Sequence, residues 1–126
     1  MTDALHALAE RLGVHVQWHT GGPKGLWVST HRVITLREGM GHRKTRCTLA
    51  HELGHAVHND LPPPDERTYR RQEVRADRWA AGALITTNAY EEAEALIGSH
   101  PGALALELGV TTHIIHTWRN LHAYSR

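Results

Sequence analysis

The chain has 126 residues, 40% of them hydrophobic, and a formal net charge of +1 with histidine neutral. This length fits one domain or a core domain with a small appendage, and the near-neutral balance does not by itself indicate nucleic-acid binding. The apolar runs are too short for a transmembrane helix, and the first residues lack the pattern of a secretory signal. The one cysteine, Cys47, excludes an internal disulfide and suits a reducing compartment, so we expect a cytoplasmic protein.

The first third of the chain predicts one helix followed by three short strands. The helix ends at Gly13, which is a typical C-terminal stop. Residues 14–18 alternate as a strand does, and residues 26–30 and 32–38 predict the second and third strands, with turn residues between them. We therefore expect a short antiparallel meander after the first helix.

The rest of the chain predicts helices. They cover residues 44–59, about 65–85 with Asp65 or Thr68 as the N-cap, 88–98, 102–109 and 111–124. Three successive prolines in "DLPPP" (60–64) end the first of them, because proline removes backbone donors and forces extended backbone. Strands early and helices late predict the α+β class: an N-terminal helix, a small three-stranded antiparallel sheet, a helix pair and C-terminal helices.

The segment "TLAHELGHAVH" (48–58) carries the strongest chemical signal. On a helix each residue advances by about 100°, so His51 and His55 lie on one side, opposite the apolar face. Two imidazoles one turn apart can bind one Zn²⁺, and Glu52 beside them can reach a water molecule. This is the H-E-x-x-H pattern, in which Glu52 is the general base; the alternative is a helix with solvated histidines.

A catalytic zinc requires a third protein ligand and an open position. In "RQEVRADRWAAGAL" (71–84), Glu73 and Asp77 are four apart and share an inward-facing helical face. Glu73 would be the third ligand, and Asp77 would accept the second ring N–H of a zinc histidine. The alternative is an ordinary surface carboxylate pair. His58 competes with Glu73, but it would have to bend over the metal, so we expect it behind the ligands or in the cleft wall.

Two segments resemble the ImmA/IrrE family of zinc metallopeptidases. They are "RCTLAHELGHAVH" (46–58) and "EVRADRWAAGALI" (73–85), the latter similar to the family's E-x-x-A-N/D-x-F-A-x-x-L-L segment. The order of helix, small sheet, two zinc helices and terminal helices is also similar. Trp79 stands where Phe is usual, and "ITT" (85–87) replaces a common Leu-Met-Pro ending.

The resemblance implies one zinc ion per chain and intracellular, site-directed proteolysis. Members typically cut, or trigger the loss of, a helix-turn-helix repressor and so release genes of a mobile element or a stress response. We accordingly expect a zincin-like peptidase core over residues 1–87, with residues 88–126 as a helical subdomain packed on it. The expected partner is a protein substrate that is itself a transcriptional repressor, and no membrane is involved.

The predicted mechanism needs two further features. Glu52 would take a proton from the attacking water and pass it to the leaving amine, while another donor stabilises the oxyanion. Tyr69, His58 or an arginine near residues 67–71 could be that donor. An edge strand, for which we favour "RVITL" (32–36), could bind the substrate backbone by strand addition.

The C-terminal residues predict a helix-turn-helix unit. Ala105, Gly109 and Ile115 supply the small residue, the turn glycine and the buried β-branched residue of such a unit. The residues that could contact DNA or a partner include Thr112, His113, His116, Thr117 and Arg119. These offer little positive charge, which favours a structural or substrate-docking role over DNA recognition.

Two functions therefore compete. The favoured one is a zinc endopeptidase acting on a regulatory protein, and the other is a DNA-binding or repressor-binding protein with a structural zinc. Glu52 separates them, because a structural site has no need of a general base. The basic cluster "HRKTR" (42–46) predicts a solvated surface, with binding to an acidic segment of a partner as the functional alternative.

Overall fold

The computed structural model describes residues 3–123 and confirms the α+β class. Its elements in chain order are α1 (Asp3–Arg11), β1 (His15–His19), β2 (Gly25–Val28), β3 (Val33–Arg37), α2 (His42–Val57), α3 (Glu66–Leu84), α4 (Thr87–Ile97), α5 (Pro101–Leu108) and α6 (Thr112–His122). Every predicted helix and strand is present, with ends shifted by a few residues. The predicted end of the last helix at residue 124 lies outside the described residues.

The sheet is mixed, so the predicted antiparallel meander was wrong. The strand order is β1-β3-β2, with β1 parallel to β3 and β2 antiparallel to it. Parallel neighbours require a long connection. Residues 20–32 provide it, and β2 lies within this connection. Alternation of side chains identifies a strand but does not specify its neighbour, which is why the pattern alone could not give this order.

The same topology corrects the expected substrate-binding edge. Residues 32–36 belong largely to β3, which is the central strand and is paired on both sides. Ile34 and Leu36 of this strand are buried in the core. The free edge next to α2 belongs to β2. Strand addition on that side would therefore use β2.

Helices α2 and α3 pack closely and run in opposite directions. A Cβ atom at Gly54 would lie only 2.9 Å from both the Cα and the carbonyl oxygen of Ala76, so glycine is needed for this approach. Helix α3 begins at its cap Asp65, whose side chain accepts the Thr68 N–H at 2.7 Å. The close approach brings the polar face of α3 against the H-E-x-x-H face of α2.

The predicted C-terminal helix pair is formed by α5 and α6, and its turn is docked on α2. Gly109 adopts a left-handed conformation with φ of 69°, as a helix C-terminus commonly requires. Arg46 donates to the Gly109 carbonyl at 2.8 Å and Arg43 to the Val110 carbonyl at 2.9 Å. Trp118 of α6 is buried and donates to the Ile85 carbonyl at the end of α3.

These contacts hold α6 against α3, beside the polar face of α2. The division of the chain at residue 87 stays a prediction. None of the helices in the described part of the chain combines the length and the apolar character needed to cross a membrane.

Candidate metal centre

Three side chains from two helices converge at one point. His51 and His55 come from successive turns of α2, and Glu73 comes from α3. The Nε2 atom of His51 lies 3.2 Å from Glu73 Oε1, and Nε2 of His55 lies 2.9 Å from Glu73 Oε2. Ligand atoms around a tetrahedral Zn²⁺ are about 3.4 Å apart, given zinc–nitrogen distances of about 2.0–2.1 Å. The two histidine–carboxylate distances are close to this value, and one ligand atom from each of the three residues lies within 4.8 Å of the others.

Each histidine is oriented by a different carboxylate. His51 donates its Nδ1–H to Asp77 Oδ1 at 2.7 Å, and His55 donates its Nδ1–H to Asp60 Oδ2 at 2.9 Å. A carboxylate can only accept here, which places the proton of both neutral rings on Nδ1. Both Nε2 atoms, which contact Glu73 in this structure, are then the atoms that can bind a metal, and the carboxylates increase their basicity.

Asp60 is the functional residue that the sequence did not reveal. Helix α2 ends at Val57, and the chain reverses through Asn59, which has a positive φ of 52°. This reversal returns the Asp60 side chain to His55, in a buried position. The other carboxylate oxygen forms an ion pair with Arg75 of α3, and the Asp60 carbonyl accepts from the Trp27 indole at 2.9 Å.

Asp60 thus connects α2, α3 and β2 at the metal centre. A signal that could have indicated this role is an acidic residue in the turn directly after an H-E-x-x-H helix, where the chain has to reverse. The helical-wheel positions could not show it, because Asp60 lies beyond the end of the helix.

The charges of the centre are strongly coupled. Burial opposes the charged form of His51, but hydrogen bonds to Asp77 and Glu73 outweigh it and raise the pKa of His51 to about 10. Hydrogen bonds from His51 and His55 to Glu73 lower the pKa of this carboxylate to about 2. The pKa of His55 is also raised, by Glu73 and Asp60, against its burial. A cation at this position would replace the protons that now compensate Glu73.

Glu52 lies beside the histidines and is largely buried. Burial raises the pKa of its carboxyl, although the neighbouring His51 and His55 act in the opposite direction. Gly25, the first residue of β2, packs directly on it. A Cβ atom at Gly25 would lie 2.6 Å from Thr48 Cγ2, 3.0 Å from Glu52 Cγ and 3.2 Å from Glu52 Oε2. Only glycine allows the edge strand to come this close to the carboxylate.

An open cleft runs along β2 past the metal centre. Five residues line it at its middle: Pro23, Gly25, Glu52, Tyr69 and Glu73. One arm, which we call the apolar arm, continues past Leu26 and Trp27 to Leu61 and Pro62. The other, which we call the basic arm, continues past Lys24, Lys44 and His51 to His113.

The remaining predicted residues are placed as follows. Tyr69, the candidate oxyanion donor, is half-exposed at the middle of the cleft. His58 caps the end of α2, donating its Nδ1–H to the Gly54 carbonyl at 2.7 Å. His113 donates from Nε2 to Asp77 Oδ2 at 2.9 Å and so contacts the metal centre through Asp77.

The other candidates for DNA or partner contact lie on α6 as well. Arg119 donates to the Tyr90 hydroxyl at 2.7 Å and to the Ser99 carbonyl, and the Thr117 hydroxyl donates to the His113 carbonyl at 3.0 Å. Thr112 and His116 are exposed. Their contact with a partner or with DNA stays a prediction.

The donor set fits a divalent metal ion of the zinc type. Imidazole nitrogen and carboxylate oxygen are its ligands, both rings present the required nitrogen, and the cleft leaves room for a water or a substrate. A carboxylate base at such a site, on an α+β scaffold with an adjacent edge strand, is typical of the H-E-x-x-H class of metallopeptidases.

Comparison with protein families shows which family of this class the chain belongs to. The family model Peptidase_M78, described as the IrrE N-terminal-like domain, matches residues 9–117. The chain therefore belongs to this peptidase family, which confirms the resemblance found in the sequence. The match extends across α2 and α3 and through most of α6. No curated protein matched the chain.

Proposed function

We propose that the protein is a zinc-dependent endopeptidase that cleaves a regulatory protein, with a helix-turn-helix repressor as the expected substrate. The observation that carries the proposal is the convergence of His51, His55 and Glu73 with Glu52 at an open cleft. Family membership supports peptide-bond hydrolysis, and the expected repressor substrate comes from the resemblance to ImmA/IrrE proteins.

His51, His55 and Glu73 would hold the ion, one per chain. When bound, Zn²⁺ would polarise the scissile carbonyl and make a water molecule more acidic. Glu52 accepts the proton of the attacking water and delivers it to the leaving amine, and the raised pKa of its carboxyl suits both steps. Asp77 and Asp60 keep the two imidazole rings in the tautomer that the site needs.

The cleft supplies the other requirements of peptide hydrolysis. The free edge of β2 can pair with an extended substrate backbone, and Gly25 keeps that strand next to Glu52. The Tyr69 hydroxyl, at the middle of the cleft, is our candidate donor to the tetrahedral oxyanion.

The competing function is a DNA-binding or repressor-binding protein with a structural metal. Two features count against it. The turn of the helix-turn-helix unit is docked on α2, and His113 and Arg119 make contacts within the fold. A structural site also commonly closes with a fourth protein ligand, whereas this one faces a cleft.

The test is the substitution Glu52→Gln in the zinc-loaded protein, assayed with candidate repressors. We expect metal content to stay at one ion per chain, measured by mass spectrometry of bound metal, while cleavage falls by at least about 100-fold. Glu92→Gln, on the exposed surface of α4, is the matched control and should cleave normally. Cleavage that survives Glu52→Gln would exclude the proposed mechanism.

A further inference from the structure

The two lysines of the chain line the same part of the cleft. The sequence has twelve arginines but only Lys24 and Lys44, and both line the basic arm of the cleft. Lys24 directly precedes β2, and Lys44 lies on α2 two turns before His51, on the face that continues through Thr48. Both side chains are exposed, and neither forms an ion pair or hydrogen bond with the described residues 3–123.

The negative charges of this arm are already compensated. Glu73 contacts both histidines, and Asp77 is shared by His51 and His113. Glu52 faces the middle of the cleft, where the proposed reaction uses it. The two ammonium groups therefore contribute positive charge that is available to a bound molecule, and two cations at one end of a cleft attract an anionic group there.

The apolar arm has the opposite character. Leu26 and Leu61 are exposed large apolar side chains, and Trp27 and Pro62 lie beside them. The acidic residue of this arm, Asp60, is buried and paired with His55 and Arg75. This arm can bury an apolar side chain of a bound molecule. A charged side chain would be unfavourable there, because the described charged residue of this arm, Asp60, is already paired.

The direction of β2 relates the two arms to the direction of a substrate. From Gly25 the strand runs along the apolar arm to Val28, and Lys24 lies on the other side of Gly25. Antiparallel pairing is the more common and slightly more stable way to add a strand. An antiparallel substrate would place residues N-terminal to the cleaved bond in the apolar arm and residues C-terminal to it in the basic arm.

We propose that the cleft selects an extended peptide with an apolar side chain before the cleaved bond and an acidic side chain after it, which Lys24 and Lys44 bind. This inference rests on the proposed peptidase function for the meaning of the cleaved bond. The predicted binding polarity itself can be measured in a protein that does not cleave.

The experiment uses the zinc-loaded Glu52→Gln protein and two blocked peptides of identical composition. Each has a central apolar pair, with two glutamates either on its C-terminal or on its N-terminal side. A carbodiimide couples peptide carboxylates to lysine amines, and mass spectrometry locates the link. We expect the first peptide to label Lys24 and Lys44 and to bind about threefold to tenfold more tightly than the second, with the preference reduced at high salt.

The Lys24→Gln, Lys44→Gln double variant should lose this preference, while Arg78→Gln, an exposed arginine of α3 outside both arms, should keep it. Equal binding of the two peptides, preference for the reversed one, or a preference that survives the double variant would overturn the proposal. The proposal would also be overturned if an oligonucleotide of equal charge displaced the bound first peptide at a lower concentration than a second portion of the same peptide does. If the first peptide binds more tightly but the unsubstituted protein cleaves neither the peptides nor the candidate repressors, the peptidase function is refuted and the binding polarity remains.

Discussion

The two histidines of the metal centre are held in different ways. His55 is oriented by Asp60, which lies five residues further along the chain and has a side chain only 5% exposed. His51 is oriented by Asp77, which comes from another helix, is 28% exposed and is shared with His113 of α6. The half of the site formed by His55 and Asp60 is thus held by neighbouring residues in a buried position. The half formed by His51 and Asp77 depends on packing between helices at the cleft.

This difference indicates separate roles for the two carboxylates. Asp60 holds its histidine and also joins α2 to α3 and to the edge strand, so we expect it to contribute to both folding and metal binding. Asp77 connects the metal centre to the start of the C-terminal helix α6. Substitutions in the two halves should therefore affect stability and metal affinity in different proportions.

The largest effect is expected from Asp60→Asn. The change leaves the side chain's shape but removes the charge that pairs with Arg75 and supports His55. We expect zinc affinity to fall by about 10–100-fold and the free energy of unfolding of the metal-free protein to fall by about 1–3 kcal/mol. Competition with a chelating dye and urea denaturation measure the two quantities.

Arg75→Gln is the matched control, because it removes the ion pair and retains the bond from His55 to Asp60. Its zinc affinity should fall less than that of Asp60→Asn. Equal losses of affinity in the two variants would mean that Asp60 acts through the ion pair rather than through His55.

A smaller effect is expected from Asp77→Asn. The carboxylate is partly exposed and lies at the cleft, so its loss should lower the free energy of unfolding less than Asp60→Asn does. Zinc affinity should still fall by about tenfold, because His51 loses the acceptor that fixes its tautomer. Chelator competition and urea denaturation again separate affinity from stability.

His113→Ala tests the connection to α6, since it leaves the bond between Asp77 and His51 in place. We expect a smaller loss of zinc affinity than in Asp77→Asn. A loss as large as that of Asp77→Asn would show that the C-terminal helix, rather than α3 alone, holds this half of the site.

The smallest expected difference is in the protons released when zinc binds. The raised pKa of His51, about 10, keeps the metal-free ring protonated on both nitrogens and positively charged at pH 8. An imidazole that binds a metal must be neutral, so it has to lose one of these two protons. Zinc binding should therefore release this proton, and affinity should increase with pH up to about 10. In Asp77→Asn the pKa of His51 falls, so fewer protons should be released at pH 8.

Calorimetry in two buffers of different ionisation enthalpy counts these protons. The same count in the unsubstituted protein and in Asp77→Asn would contradict the role given to Asp77. The bond of His55 to Asp60 is the same in both proteins, so a difference in the count does not come from His55.

The parts of the site that lie on helices could be predicted from spacing. His51 and His55 are four apart, as are Glu73 and Asp77, and four residues make about one helical turn. The turn residues and prolines likewise delimited the helices. Local periodicity suffices for these features because the relevant side chains are neighbours on a regular helix.

The features that depend on chain reversal or on strand order could not be predicted in this way. Asp60 reaches His55 because of the turn at Asn59, and Gly25 reaches Glu52 because β2 takes the edge position instead of the centre. The contact of His113 with Asp77 requires α6 to pack on α3. Each involves residues whose proximity is decided by tertiary packing, which no sequence period encodes.

Anomalous diffraction at the zinc absorption edge, from crystals of the zinc-loaded protein, is the decisive measurement for the metal site. We expect one strong peak within bonding distance of Nε2 of His51, Nε2 of His55 and a carboxylate oxygen of Glu73, with Asp77 and Asp60 still hydrogen-bonded to the two Nδ1 atoms. A peak bound elsewhere, or Glu73 turned away from the ion, would contradict this expectation.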